Sequence, residues 1–273
     1  MLSRNRATTI RRIAMGAVTA SAITLAGCQS NAGNTAGSTA DDSKDTATAQ
    51  DVTLFAAAST RVIGEELVEE AKKLDPPVNL TISNAGSTDL VNQIKEGAPA
   101  DVLLTADTKS MDKAKANGDV EESKMVAANT LVMVVPADNP GNINSIEDLN
   151  EDTTLVLCDP SVPCGNLTEQ LAAENNLELH PSSLEHSVTD TLGKVTSGQA
   201  DAAWVYKTDA IAAGDKVEVI EIPNSENFVN DYPAAVLKNA ANAEAAQAVL
   251  ELLHGEAMRS VWENAGFLPA AAK

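Results

Sequence analysis

The sequence predicts an α/β fold with mostly parallel sheets, divided into two lobes. From about residue 51 onward, short apolar segments typical of strands alternate with segments whose apolar residues recur at helical spacing. Several predicted strands end in a loop of small residues and a hydroxyl residue, directly before a helix. A continuous apolar run near residue 130, followed by a segment rich in Pro, Asn, Asp and Gly, indicates that the chain changes lobe there.

The first strand-to-helix junction is VTLFAAAS, residues 52–59. Val52 and Leu54 alternate with polar residues, as expected of a strand, and a helical pattern begins directly after Ser59. We expect Ser59 to cap this helix, because its hydroxyl can accept a hydrogen bond from the free amides of the first turn. The same hydroxyl can donate to an outside acceptor, and a helix N-terminus attracts anions. The junction therefore predicts an anion-binding position.

A second junction of the same kind follows. Residues 78–82 alternate apolar and polar side chains and predict a strand, and residues 83–89 are small or polar. Ser87 takes the place that Ser59 has in the first junction, at the start of a helix that ends at Gly97. Further strands are expected at residues 101–106, 131–135, 154–158, 202–206, 217–222 and 232–237, which gives about eight or nine in total.

Two predicted helices near the C-terminus, at residues 243–253 and 256–264, have no parallel strand of their own. We therefore expect the chain to return to the first lobe near Asp231. The predicted organisation is a first lobe at residues 51–129, a second lobe at 130–230 and a return to the first lobe at 231–273. Because ligands of such folds bind outside the carboxyl ends of the strands, two lobes would place the ligand in the cleft between them.

Residues 1–27 have the pattern of a secretory signal peptide. Four arginines precede a short apolar segment at residues 13–25, which is too short to span a bilayer comfortably. The segment leads into Leu25-Ala26-Gly27-Cys28, which resembles a bacterial lipobox and predicts cleavage before Cys28 and lipidation of its thiol. An ordinary signal peptide with a chance cysteine is the alternative, and Arg11-Arg12 leaves open export by the twin-arginine route.

Residues 28–50 are dominated by Ser, Thr, Ala, Gly, Asn and Asp, which bury too little apolar surface to fold. We expect this segment to hold the lipidated cysteine and a flexible tether. A lipid anchor, a tether and a folded body together predict an extracytoplasmic protein held at the outer face of the cell membrane.

Charge and motif content exclude several classes of protein. The formal net charge of −20 argues against nucleic acid and anionic membrane surfaces as partners. His180, His186 and His254 lack the mutual spacing of a zinc site. The chain contains neither a G-x-S-x-G nucleophile elbow nor a Walker A loop. We therefore expect no enzyme activity and no cofactor.

Five segments carry a family resemblance, in this order along the chain: FAAAS before a helix, SNAGSTDLVNQI, GAPADVLLTAD, DPSVPCG and GQADAAWVYKTDA. Together they resemble the molybdate-binding proteins of bacterial ABC importers, over residues 51–268. The resemblance implies a two-lobed periplasmic-binding-protein fold of type II with two or three crossing segments. It also implies a monomer that holds a tetrahedral oxyanion, molybdate and also tungstate, in the interlobe cleft and delivers it to the membrane subunits of an ABC permease.

The resemblance also implies which residues bind the oxyanion. They are Ser59, Ser87, Cys164, Val188 and Tyr206. The serines would donate through hydroxyl and amide, the cysteine and valine through backbone amides, and the tyrosine through its phenol. Molybdenum would be held only through its oxygens. The DPSVPCG loop looks one residue shorter than in many relatives, and Cys164 stands where the family often has alanine, so Gly165 is a neighbouring candidate.

Two further expectations concern this site. Fixed neutral donors favour fully deprotonated anions, because a protonated oxygen would meet a donor with a proton of its own, so we expect little affinity for hydrogen phosphate. Cys158 and Cys164 flank the DPSVPCG loop in an oxidising compartment, so we expect a disulfide between them; two reduced, buried cysteines are the alternative. Tyr232 lies in the predicted crossing strand, and we expect a structural role for it.

Two other receptors and an enzyme are alternatives to this function. A sulfate receptor also holds its ligand with neutral donors and differs mainly in the size of the anion. A ferric-iron receptor would require several anionic ligands, such as paired tyrosines, and Tyr232 is badly placed to join Tyr206. A secreted α/β hydrolase would require a nucleophile and base that the sequence does not offer.

Overall fold

The computed structural model describes residues 48–270. The predicted signal peptide, the lipidation site Cys28 and most of the predicted tether lie outside these residues. The strands of the described part are β1 (Gln50–Ala57), β2 (Val78–Ala85), β3 (Val102–Leu104), β4 (Lys124–Asn129), β5 (Leu131–Pro136), β6 (Leu155–Cys158), β7 (Ser183–Glu185), β8 (Ala202–Tyr206), β9 (Val217–Ile220) and β10 (Asn230–Val236).

The helices of the same part are α1 (Gly64–Ala71), α2 (Ser87–Lys95), α3 (Thr108–Asn117), α4 (Pro163–Glu174), α5 (Val188–Thr196), α6 (Lys207–Ala213), α7 (Ala243–His254) and α8 (Glu256–Asn264). Short 3-10 helices lie at Ala58–Ile63, Ile146–Asp148, Gly214–Lys216 and Ser225–Asn227. Within the described residues, no helix has the length and apolar character needed to cross a membrane.

The strands form two sheets of five strands, in the order β2-β1-β3-β10-β4 and β7-β6-β8-β5-β9. We call the first sheet with α1, α2, α3, α7 and α8 the first lobe, and the second sheet with α4, α5 and α6 the second lobe. In each sheet one strand, β10 or β5, is antiparallel to both of its neighbours, and the other strands run in one common direction. The predicted α/β fold with two lobes and mostly parallel sheets is confirmed.

The chain passes twice between the two sheets within the described residues. It leaves the first sheet at β4 and enters the second at β5 after the single residue Thr130, and it returns through residues 221–229 to β10. The antiparallel strand of each sheet is thus the strand that the chain enters on crossing. Sequence patterns missed β4, because its apolar residues merge with those of β5, and β7, which is short and only partly buried.

In each sheet, the aspartate directly before a central strand accepts hydrogen bonds from backbone amides of neighbouring segments. The carboxylate of Asp101 accepts hydrogen bonds from the amides of Thr53 at 2.8 Å and Ala241 at 2.7 Å. In the second lobe, the carboxylate of Asp201 accepts a hydrogen bond from the amide of Thr154 at 2.8 Å. Asp101 is buried, and its two bonds join β1 to the turn that leads towards α7.

The chain is poor in aromatic residues, yet four of them form one contiguous row in the core. Tyr206 packs edge-on against Tyr232 at a centroid distance of 6.0 Å, and Tyr232 packs against Phe267 at 5.3 Å. Phe267 in turn packs against Trp262 of α8 at 4.8 Å. The row extends from the end of β8 in the second lobe to the C-terminal helices of the first lobe, so it holds the end of the chain against the crossing region.

We expect Asp101→Ala to lower the free energy of unfolding by about 2–4 kcal/mol, because it leaves two backbone amides without the buried carboxylate that accepts from both. Urea unfolding followed by circular dichroism measures this change. Asp215→Ala is the matched control, because Asp215 is exposed, and it should change stability by less than about 0.5 kcal/mol. Equal stability of the two variants would contradict the role given to Asp101.

Candidate functional site

A small cavity lies between the two lobes and is lined by residues from both. All five residues predicted from the sequence line it: Ser59, Ser87, Cys164, Val188 and Tyr206. Its volume is about 20 Å³, far below the roughly 300–1,000 Å³ of pockets that bind organic ligands. The cavity therefore suits a small inorganic ion, and an ion larger than water requires the lobes to part slightly.

The lining of this cavity offers hydrogen-bond donors and no acidic or basic side chain other than His186. Three helices begin at it, since Ser87, Pro163 and Val188 are the first residues of α2, α4 and α5. The first turn of a helix has free amide groups, and its end carries a partial positive charge. Helix ends from both lobes therefore converge on one place that favours an anion.

Ser59 lies at the cavity, but it does not cap a helix as we expected. It is the second residue of the 3-10 helix Ala58–Ile63, which shows no side-chain cap, and α1 begins only at Gly64. The Ser59 hydroxyl instead lies 2.8 Å from the hydroxyl of Tyr232, in a buried contact. Ala57 and Ala58, which precede it, line the cavity with small side chains and leave the backbone open to a ligand.

Ser87 presents its hydroxyl in a defined direction. Its Oγ accepts a hydrogen bond from the amide of Ala106 at 3.0 Å, and the side chain is buried. Because the oxygen is used as an acceptor, the hydroxyl proton remains for another partner, and the described protein atoms supply none. Ser87 can therefore donate into the cavity.

Cys164 and its neighbour Gly165 have different surroundings. Cys164 is the second residue of α4, lines the cavity, and forms a disulfide with Cys158 that joins β6 to the start of α4. Gly165 packs against the backbone of Asp159, where an added Cβ would lie 2.0 Å from the carbonyl oxygen. Of the two candidates, the structure places Cys164 at the cavity, and Gly165 is required for close packing of the loop.

Val188 begins α5, and the segment before it closely approaches the first lobe. Ser187 caps α5 by accepting a hydrogen bond from the amide of Asp190 at 3.2 Å. The carbonyl oxygen of His186 lies so near Gly86 of the first lobe that an added Cβ there would be 2.3 Å away. Gly86, His186 and Ser187 also line the cavity, and the sequence patterns did not single them out.

Tyr206 ends β8 and is buried, and its hydroxyl accepts a hydrogen bond from Asn230 Nδ2 at 2.7 Å. Burial raises the pKa of Tyr206 well above its usual value, and the nearby Tyr232 adds to the rise. Burial also raises the pKa of Tyr232, although its hydrogen bond with Ser59 opposes the rise. Both phenols therefore keep their protons and can serve as donors.

An ion pair beside the cavity connects the two lobes. Arg61 of the first lobe donates to the carboxylate of Asp209 in α6 and to Thr189 Oγ1 at 3.2 Å in α5. Asp209 is fully buried, and burial raises the pKa of its carboxyl, which the guanidinium of Arg61 opposes. Thr88 Oγ1 also donates to the Ser161 carbonyl at 2.8 Å. These contacts hold the lobes together around the cavity.

The sequence profile of one family, described as bacterial extracellular solute-binding protein, matches residues 52–268. The chain belongs to this family. It is 38% identical over 221 residues to the molybdate-binding protein ModA of Mycobacterium tuberculosis, an alignment that covers 80% of this chain and 85% of that protein. The family collects solute-binding proteins, as the sequence predicted.

Solved structures with the same fold include receptors for two oxyanions. The periplasmic molybdate-binding protein of Azotobacter vinelandii aligns with a TM-score of 0.68 at 20% identity, over 81% of this chain and 100% of that chain. The sulfate-binding protein SubI of Mycobacterium tuberculosis aligns with a TM-score of 0.71 at 20% identity, over 81% of this chain and 87% of that chain. These likenesses establish the two-lobed periplasmic-binding-protein fold.

We expect Arg61→Met to weaken ligand binding about 10-fold or more, because closing the lobes would then bury the Asp209 carboxylate without its counter-ion. The pKa of Asp209 should rise further in this variant, so the loss should be smaller near pH 5 than near pH 8. Calorimetric titration with molybdate at pH 5 and at pH 8 measures the loss of affinity. Arg259→Met, which removes an exposed arginine of α8, should leave affinity unchanged. A pH-independent loss would contradict the role given to Asp209.

Proposed function

We propose that the protein is an extracytoplasmic receptor that captures molybdate, and also tungstate, and delivers it to an ABC permease. The observation that carries this proposal is the convergence of three helix N-termini and two serine hydroxyls on one small cavity between the lobes that no carboxylate lines. The relative named ModA, which is described as molybdate-binding, supports the choice of ligand.

The proposed hydrogen-bond donors to the anion are the hydroxyls and amides of the two serines, the amides of Cys164 and Val188, and the phenol of Tyr206. Each hydrogen bond to a charged group contributes roughly 1.5–3 kcal/mol. About five to seven such bonds reach sub-micromolar affinity, even after the cost of association. Surface carboxylates of this acidic chain repel the anion weakly, since salt screens their charge beyond about 8 Å.

The proposal extends to the parts of the chain that hold the receptor in place. We propose cleavage before Cys28, lipidation of its thiol, and a tether at residues 28–50 that holds the folded body at the outer face of the cell membrane. The folded body acts as a monomer, with lobe boundaries at residues 51–129, 130–230 and 231–273. The basic and apolar pattern of residues 1–27 and the lipobox-like sequence before Cys28 support this part.

Sulfate is the second candidate ligand. SubI, described as sulfate-binding, shares the fold, and sulfate is a fully deprotonated tetrahedral anion that neutral donors can also hold. The two anions differ in size, so the spacing of the donors across the closed cleft decides between them.

Calorimetric titration with molybdate, tungstate, sulfate and phosphate tests the proposal on the purified folded protein. We expect tight 1:1 binding of molybdate and tungstate and only weak binding of phosphate. Ser87→Ala and Tyr206→Phe should each weaken molybdate about 10- to 100-fold through loss of one charge-assisted bond. Ser197→Ala, on the exposed end of α5, is the control and should bind normally. Tight binding of sulfate without molybdate would overturn the assignment.

A further inference from the structure

We propose that Asn129 and Asn230 are positioning residues that direct two buried hydroxyl protons into the cavity, so that the site presents only donors to its anion. Neither asparagine touches the anion. Asn230 acts through Tyr206, and Asn129 acts through Tyr232 and Ser59. This inference rests on the proposed function, because it concerns the same cavity. The five residues predicted from the sequence include neither asparagine.

Both asparagines lie where the chain crosses between the lobes. Asn129 is the last residue of β4, Asn230 is the first residue of β10, and the two face each other in the antiparallel pairing of these strands. Both side chains are buried. A buried amide must find partners for its donors, and here the partners are groups that line or support the cavity.

Asn230 determines the direction of the Tyr206 proton. Its Nδ2 group donates to Tyr206 Oη at 2.7 Å and to the carbonyl of Pro163 at 3.0 Å. A carbonyl can only accept, so the contact with Pro163 fixes which end of the amide carries the protons. Tyr206 therefore accepts from Asn230, and its own proton must point to another partner. Because Tyr206 lines the cavity, a bound anion can take this proton.

Asn129 acts on Ser59 in the same manner, one group further away. Its Oδ1 accepts from the amide of Thr130 at 3.0 Å, which fixes the orientation of the side-chain amide. Its Nδ2 donates to Thr208 Oγ1 at 2.8 Å and faces Tyr232 Oη at 3.5 Å. With a donor facing Tyr232, the tyrosine proton points to Ser59 at 2.8 Å. Ser59 then accepts, and its own proton is left for the cavity.

The directions of these protons affect which anions the site binds. A hydroxyl free to rotate can accept a hydrogen bond from a protonated anion as easily as it can donate to a deprotonated one. Tyr206, held as a donor by Asn230, offers no lone pair to the proton of hydrogen phosphate. The asparagines therefore contribute to the choice between fully deprotonated and protonated oxyanions, in addition to affinity. The shorter contacts of Asn230 make it the residue to test.

The test is a double-mutant cycle with Asn230→Leu and Tyr206→Phe, in which calorimetry measures the affinities for molybdate and for phosphate. We expect Asn230→Leu to weaken molybdate about 10-fold and to lower the preference for molybdate over phosphate by at least about 10-fold. In the Tyr206→Phe background, the same substitution should change molybdate affinity by less than about 2-fold, because the hydroxyl on which Asn230 acts is gone. Asn239→Leu, at an exposed asparagine after β10, is the matched control.

Several outcomes would overturn the inference. Equal losses from Asn230→Leu in both backgrounds, or an unchanged preference between the anions, would show a structural role alone. Asn230→Ser, judged by the same criteria, replaces the leucine variant if that variant fails to fold. If the wild type binds sulfate in place of molybdate, the proposed function fails, and the same cycle with sulfate still decides the positioning role. If it binds no tetrahedral oxyanion, both fail.

Discussion

The structure depends on the close approach of two lobes around a place that contains donors and almost no charge. At Gly86 the lobes come so near that an added Cβ would lie 2.3 Å from the carbonyl of His186. This contact brings the N-terminus of α2 in one lobe opposite the N-termini of α4 and α5 in the other. Each helix end alone is a weak anion site, and closure makes them one site from which water is largely excluded.

The crossing strands connect this closure with the chemistry of the site. β4 and β10 pair with each other and carry Asn129 and Asn230 at their facing ends. Tyr232, two residues after Asn230, contacts Ser59 in the first lobe and packs against Tyr206 in the second. A movement of the lobes must rotate the chain near these residues, so the orientation of the donors and the opening of the cleft are linked through the same few side chains.

Sequence patterns predicted the fold class, because strand-to-helix junctions are local features, and the family resemblance supplied five residues that all line the cavity. They missed contacts between residues far apart in the chain. The Ser59–Tyr232 contact joins residues separated by 173 positions, and its existence explains why Ser59 does not act as a cap. Asn129 and Asn230 resemble ordinary polar residues at strand ends until the strands pair. The Arg61–Asp209 pair spans 148 positions, and neither residue belongs to a motif that identifies the other.

The ion pair of Arg61 explains how the cavity can bind an anion without a charged side chain that contacts it. A guanidinium aimed into the cavity would attract every anion, protonated or not, because Coulomb attraction depends on charge and distance alone. Here the charge of Arg61 is taken up by the buried Asp209 of the opposite lobe, so it stabilises closure and leaves the cavity neutral. The hydroxyls and amides, whose protons point in fixed directions, then distinguish protonated from fully deprotonated anions. Arg61 therefore contributes to affinity through closure, whereas the donor directions that the two asparagines determine contribute to both affinity and selectivity.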